Sequence, residues 1–109
     1  MGHLSTHVLD TAQGRPAAGM RVSLLKVHED GSEELIRSVD LNADGRNDGG
    51  PLLDGGAMQV GRWCLRFEVA AYFRASGVVL PDVPFIDVVR LDFGIADVAG
   101  HYHVPLLVS

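Results

Sequence analysis

Residues 101–109 read His101-Tyr102-His103-Val104-Pro105-Leu106-Leu107-Val108-Ser109. In an extended strand successive side chains point to opposite faces, so Tyr102, Val104, Leu106 and Val108 line one face and His101, His103, Pro105 and Leu107 the other. The first set is a core face. The second presents two imidazoles, the side chains whose ordinary pKa lies nearest neutrality, able to serve as base, acid or metal ligand. A merely solvated strand face carries the same His-x-His pattern, and the remainder of the chain has to decide between the two.

The same period of two recurs upstream. Between Val60 and Val69, Trp63, Leu65, Phe67 and Val69 alternate with Arg62, Cys64, Arg66 and Glu68, which puts Cys64 on the more polar face. Val89, Leu91, Phe93 and Ile95 alternate with Arg90, Asp92 and Gly94. Leu4 to Leu9 is β-rich, holds His7 at mid-strand and stops at Asp10-Thr11-Ala12-Gln13-Gly14-Arg15-Pro16. Met20, Val22 and Leu24 against Arg21, Ser23 and Leu25 predict a second strand and hairpin partner, ending at Glu29-Asp30-Gly31-Ser32. Leu35 to Leu41 predicts a third, and Pro51-Leu52-Leu53 a short edge strand. Ala70 to Ser76 is the one helix-favouring run, stopped by Gly77. Short strands at this spacing predict an all-β fold, an antiparallel β-sandwich with one short helix, as a single domain over residues 1–109.

Composition narrows the function. Nine Lys and Arg against 14 Asp and Glu give a formal net charge of -5, which argues against a nucleic-acid binder that neutralises phosphates. No apolar run approaches the ~18 residues of a membrane span, and the N-terminus lacks the build of a secretory signal. Cys64 is the single cysteine and forms no internal disulfide, so the expectation is a soluble cytoplasmic protein. Met1-Gly2-His3-Leu4-Ser5-Thr6 fits the loose myristoylation pattern, but the first strand begins directly behind it.

Three chemistries can be weighed on the polar residues. Asp40-x-Asn42-x-Asp44-Gly45 opens like a calcium loop, yet position twelve, where a bidentate Glu should close the sphere, is Pro51. A zinc site could be built from His101 and His103 with His7 or His3 as third ligand, although no acidic residue stands near in sequence to orient the imidazoles. A Ser-His-Asp triad has no Gly-x-Ser-x-Gly, and the serines sit in unremarkable contexts. What remains is Arg46 in a glycine-flanked loop, with histidines on the first and last strands. A guanidinium can hold an oxygen-rich planar ring by two prongs while imidazoles handle a water and a proton, which is metal-free hydrolysis of a small polar molecule. For Arg46 the plain alternative is a solvated loop residue.

Leu4-Ser5-Thr6-His7-Val8-Leu9-Asp10, Asn42-Ala43-Asp44-Gly45-Arg46 and His101-Tyr102-His103-Val104-Pro105-Leu106-Leu107 resemble the motifs of the 5-hydroxyisourate hydrolases, transthyretin-like enzymes of urate (purine) degradation. Tyr72-Phe73 and Phe93-Gly94-Ile95 extend the agreement between them. The resemblance implies the transthyretin-like (prealbumin-like) sandwich of two four-stranded sheets, assembled as a homotetramer, a dimer of dimers with active sites at the dimer-dimer interface. It implies cyclic-amide hydrolysis of 5-hydroxyisourate to 2-oxo-4-hydroxy-4-carboxy-5-ureidoimidazoline without metal or cofactor. His7 and His103 would activate and position water, and Arg46 would bind the substrate and stabilise developing charge. It further implies, beyond the Leu-Leu segment, an eighth strand and a Tyr-Arg-Gly-Ser tail. Neither stands in residues 1–109. A sandwich missing its eighth strand is therefore expected, with an exposed edge at His101 and impaired activity. The competing expectation is a non-catalytic transthyretin-like binding or scaffold protein.

Overall fold

Wherever apolar and polar residues alternate, the chain is extended. The computed structural model describes residues 1–109, which form β1 (His3–Asp10), β2 (Arg15–Pro16), β3 (Arg21–Val27), β4 (Glu33–Asp40), β5 (Leu53–Asp54), β6 (Gly61–Glu68), α1 (Val69–Ala75), β7 (Val88–Ile95) and β8 (His101–Val108). One sheet has the order β4-β3-β6-β7, all antiparallel, with β3 and β4 as its hairpin. The other is centred on β1. Along one side runs β8, parallel and in unbroken register from His3↔His101 to Asp10↔Val108. Along the other, β5 pairs at His3 and Leu4, and β2 pairs at Leu9 and Asp10.

Two expectations are corrected. The sandwich does not lack an eighth strand: eight are present, in two sheets of four. The edge strand expected at Pro51-Leu52-Leu53 forms as β5, and the strand the sequence does not show is β2, two residues too short to alternate, where Arg15-Pro16 reads locally as turn. Nor is the fold wholly antiparallel, since the first and last strands run side by side in the same direction. Within the chain β8 pairs with β1 alone.

The sheets meet through Leu4, Val8, Val22, Leu24, Trp63, Leu65, Phe67, Ile95 and Val108, all buried. Each large apolar side chain so placed contributes roughly 1.5–3 kcal/mol. Helix α1 closes one end with buried Tyr72 and Phe73, and Gly77 at φ +90° ends it. Tyr72 reaches across the sandwich to donate its hydroxyl hydrogen to Oδ2 of buried Asp10 at 2.8 Å. Burial works against the Asp10 charge. Bonds from Tyr72 and from the backbone N–H groups of Gln13 and Ala12, with the nearby Arg15 charge, nevertheless hold its carboxyl below the ordinary range.

Cys64 lies on the face turned from the core, as its position in the alternation requires, but it is fully buried rather than exposed. Leu25 and Asp92 flank it in register, and Arg90 forms a two-pronged ion pair with Glu33 from β4. Burial pushes the thiol up to about 11, so it stays protonated at neutral pH.

Candidate active site on the outer face of β1 and β8

Alternation along β1 buries Leu4, Thr6, Val8 and Asp10 and turns His3, Ser5, His7 and Leu9 outward. The parallel register places His101, His103, Pro105 and Leu107 beside them on the same outward face. Four of the five histidines therefore share one strip of two neighbouring strands.

Arg46 joins from the other side of β1 through a glycine-dependent loop. Oδ1 of Asn42 accepts from the N–H groups of Asp44 at 2.9 Å and Arg46 at 3.1 Å, and the Asn42 N–H donates to the Arg46 carbonyl at 2.8 Å. This is an Asx-type turn closed on itself. Gly45 adopts φ +73°, and a Cβ there would run into the Val8 carbonyl oxygen. Only glycine lets the loop lie this close, so that the Gly45 carbonyl accepts the Val8 N–H at 2.9 Å. The next residue, Arg46, then bridges His7 in antiparallel fashion. Its guanidinium is exposed and has no partner within the chain.

His7 thus sits between Arg46 on one side and β8 on the other. Its register partner on β8 is Pro105, and His103 stands opposite Ser5, two residues back. The two histidines are thus diagonal neighbours on the outward face of adjoining strands. His103 is held through Nδ1, 2.9 Å from Oγ of Ser5, and its Nε2 is free of protein partners. All three residues read from the sequence, His7, Arg46 and His103, are therefore on one face. Ser5 carries no motif signal in the sequence, although its spacing of two from His7 puts it on that face.

His101 is engaged elsewhere. Its ring stacks on His3 with centroids 4.2 Å apart, and its Nε2 lies 3.0 Å from the Met1 carbonyl oxygen. A carbonyl can only accept, so the proton of that nitrogen is fixed. No three His, Cys, Asp or Glu side chains converge in a way that could hold a metal, so neither the zinc set nor the calcium loop is assembled by this chain. No helix is long and apolar enough to cross a membrane.

The face is open. Clefts of about 710 Å³ beside α1 and about 510 Å³ around Phe73, Phe85 and Leu106 lie elsewhere, and neither is lined by His7, Arg46 or His103.

Residues 4–109 match the family model described as "Transthyretin: HIUase/Transthyretin family". The chain belongs to the HIUase/transthyretin family. It is 52% identical over 108 residues to "5-hydroxyisourate hydrolase 2" of Rhizobium meliloti, covering 99% of this chain and 88% of that protein. Among solved structures, 5-hydroxyisourate hydrolase of Klebsiella pneumoniae superposes with a TM-score of 0.76 at 31% identity, over 99% of this chain and 84% of that one. A crystal structure of (S)-allantoin synthase gives a TM-score of 0.90 at 42% identity over 98% of this chain, which spans only 40% of that longer protein.

Proposed function

We propose that the outer face of β1 and β8 opens the ring of 5-hydroxyisourate by hydrolysis, with His7, Arg46 and His103 carrying the reaction. The reaction itself is that of the hydrolase relatives, a step of urate degradation. The observation that supports this placement is the bridge between His7 and Arg46 beside a His103 whose Nε2 is free. Arg46, with no partner in the chain, holds the oxygen-rich ring by two parallel N–H donors and stabilises the charge that develops on the attacked carbonyl. One imidazole takes a proton from water as the water oxygen bonds to that carbon. The C–N bond of the cyclic amide then breaks, its nitrogen is protonated by the imidazolium, and the ring opens to the ureidoimidazoline carboxylate. Imidazole and guanidinium supply what the steps need, and no metal enters them.

A flat face leaves developing charge in water, where such interactions are weak. This supports a second proposal, that a further copy of the chain covers the face in a homotetramer built as a dimer of dimers. Sedimentation of the chain alone tests it: a stable monomer at working concentration would sink it.

The catalytic reading is tested by following the ultraviolet decay of freshly generated 5-hydroxyisourate. The expected result is decay faster than the spontaneous rate, unchanged by a chelator. Decay at the spontaneous rate leaves a binding protein on the same fold. Activity abolished by chelation and restored by zinc overturns the metal-free mechanism.

A further inference from the structure

We infer that Ser5 is the positioning residue that orients His103 and fixes which of its nitrogens acts as the base, an inference that rests on the reading of His103 above. The parallel register sets Ser5 directly opposite His103, and its Oγ lies 2.9 Å from Nδ1. Neither Oγ nor Nε2 has another protein partner, so the contact ties the ring by one nitrogen and leaves the other facing the open strip.

The tautomer follows from the task. A neutral imidazole carries one proton, and a base at Nε2 requires that proton to sit on Nδ1. The proton on Nδ1 then needs an acceptor, and the group at that nitrogen is the Ser5 hydroxyl oxygen. When Nε2 takes a proton from water, the ring becomes an imidazolium that still donates from Nδ1 to the same oxygen. The O–H bond of water breaks, the Nε2–H bond forms, and the ring need not turn. Ser5 keeps its own proton throughout and attacks nothing. An acceptor behind a histidine that sets its tautomer is the arrangement found behind metal-bound and triad histidines, where a carboxylate or carbonyl usually fills the place. Here a neutral hydroxyl does so, which keeps a negative charge away from an anionic or oxygen-rich substrate.

The test uses the full chain with Ser5→Ala, Ser5→Thr and His103→Asn, assayed on 5-hydroxyisourate, together with long-range proton–nitrogen NMR of the His103 ring. Ser5→Ala is expected to lower kcat by about tenfold to a hundredfold, as loss of such partners does, with KM nearly unchanged. Ser5→Thr, which keeps the hydroxyl on a residue at home in a strand, is expected to restore most of the rate. The neutral His103 ring should carry its proton on Nδ1 in the parent and Ser5→Thr proteins and lose that preference in Ser5→Ala. Wild-type kcat in Ser5→Ala, beside a His103→Asn that is strongly impaired, overturns the inference and leaves the site reading standing. So does a Ser5→Ala loss that Ser5→Thr fails to rescue, with the tautomer unchanged. Full activity in His103→Asn overturns the site reading and the inference with it.

Discussion

The two sheets turn very different faces to the outside. On the β4-β3-β6-β7 sheet the polar groups mostly satisfy one another: Arg21 pairs with Asp40, Arg90 grips Glu33 with both prongs and also meets Asp92, and Ser23 meets Ser38. Nε of Arg66 is buried there without a partner. On the β1-β8 face the polar groups keep atoms free. His103 is held by Nδ1 and free at Nε2, and Arg46 is held by its backbone and free at its guanidinium. A face whose charges are already paired has little left to offer a ligand. Held backbones with unspent donors and acceptors are what positioning and proton transfer need.

If that contrast is functional, substitutions on the two faces should separate cleanly. Arg46→Lys keeps the charge but loses the planar fork, and should lower kcat/KM by about 10²–10³-fold. Near-normal turnover would make Arg46 a solvated loop residue like any on the other sheet. His7→Asn and His103→Asn should each lower the rate by roughly 10²-fold. A small loss confined to KM would reduce them to wall residues. Gly45→Ala should destabilise the chain by about 1–3 kcal/mol, through its φ of +73° and the Val8 carbonyl, and weaken activity by shifting Arg46. Thermal unfolding alongside the assay separates the two effects.

Tyr72→Phe sharpens the contrast from the inside, because it touches neither face. Losing the hydroxyl strands an oxygen of buried Asp10 at a cost of about 1–3 kcal/mol, while turnover at neutral pH stays normal. The carboxyl of Asp10 is depressed in the fold, so its contribution is present above the ordinary value of 3.8 and is lost as pH falls through the folded value. Tyr72→Phe raises that folded value, and acid unfolding should begin at a higher pH than in the parent. The smallest effect is expected for Arg90→Ala, whose partners are exposed or lie on the same face: activity within about twofold of the parent.

Much of this was legible in the residues, and the limits have physical causes. Alternation located β1, β3, β6, β7 and β8 to within a residue or two because one face of each is buried. It could not find β2, whose two residues show no period, nor the burial of Cys64, which has Leu25 and Asp92 beside it on neighbouring strands. The three site residues were named from the motifs they share with a known family. Their spatial relation was not readable, because the direction and register of the β1-β8 pair follow from how the whole chain closes. That register, setting His103 opposite Ser5 rather than His7, is what brings Ser5 within hydrogen-bond reach of His103.

The most direct measurement is the decay rate of fresh 5-hydroxyisourate with the parent chain, Arg46→Lys and Arg90→Lys assayed side by side. Catalysis on the β1-β8 face predicts acceleration by the parent, nearly the same by Arg90→Lys, and a loss of about 10²-fold or more in Arg46→Lys. Equal rates for parent and Arg46→Lys, or a loss as large in Arg90→Lys as in Arg46→Lys, would contradict it.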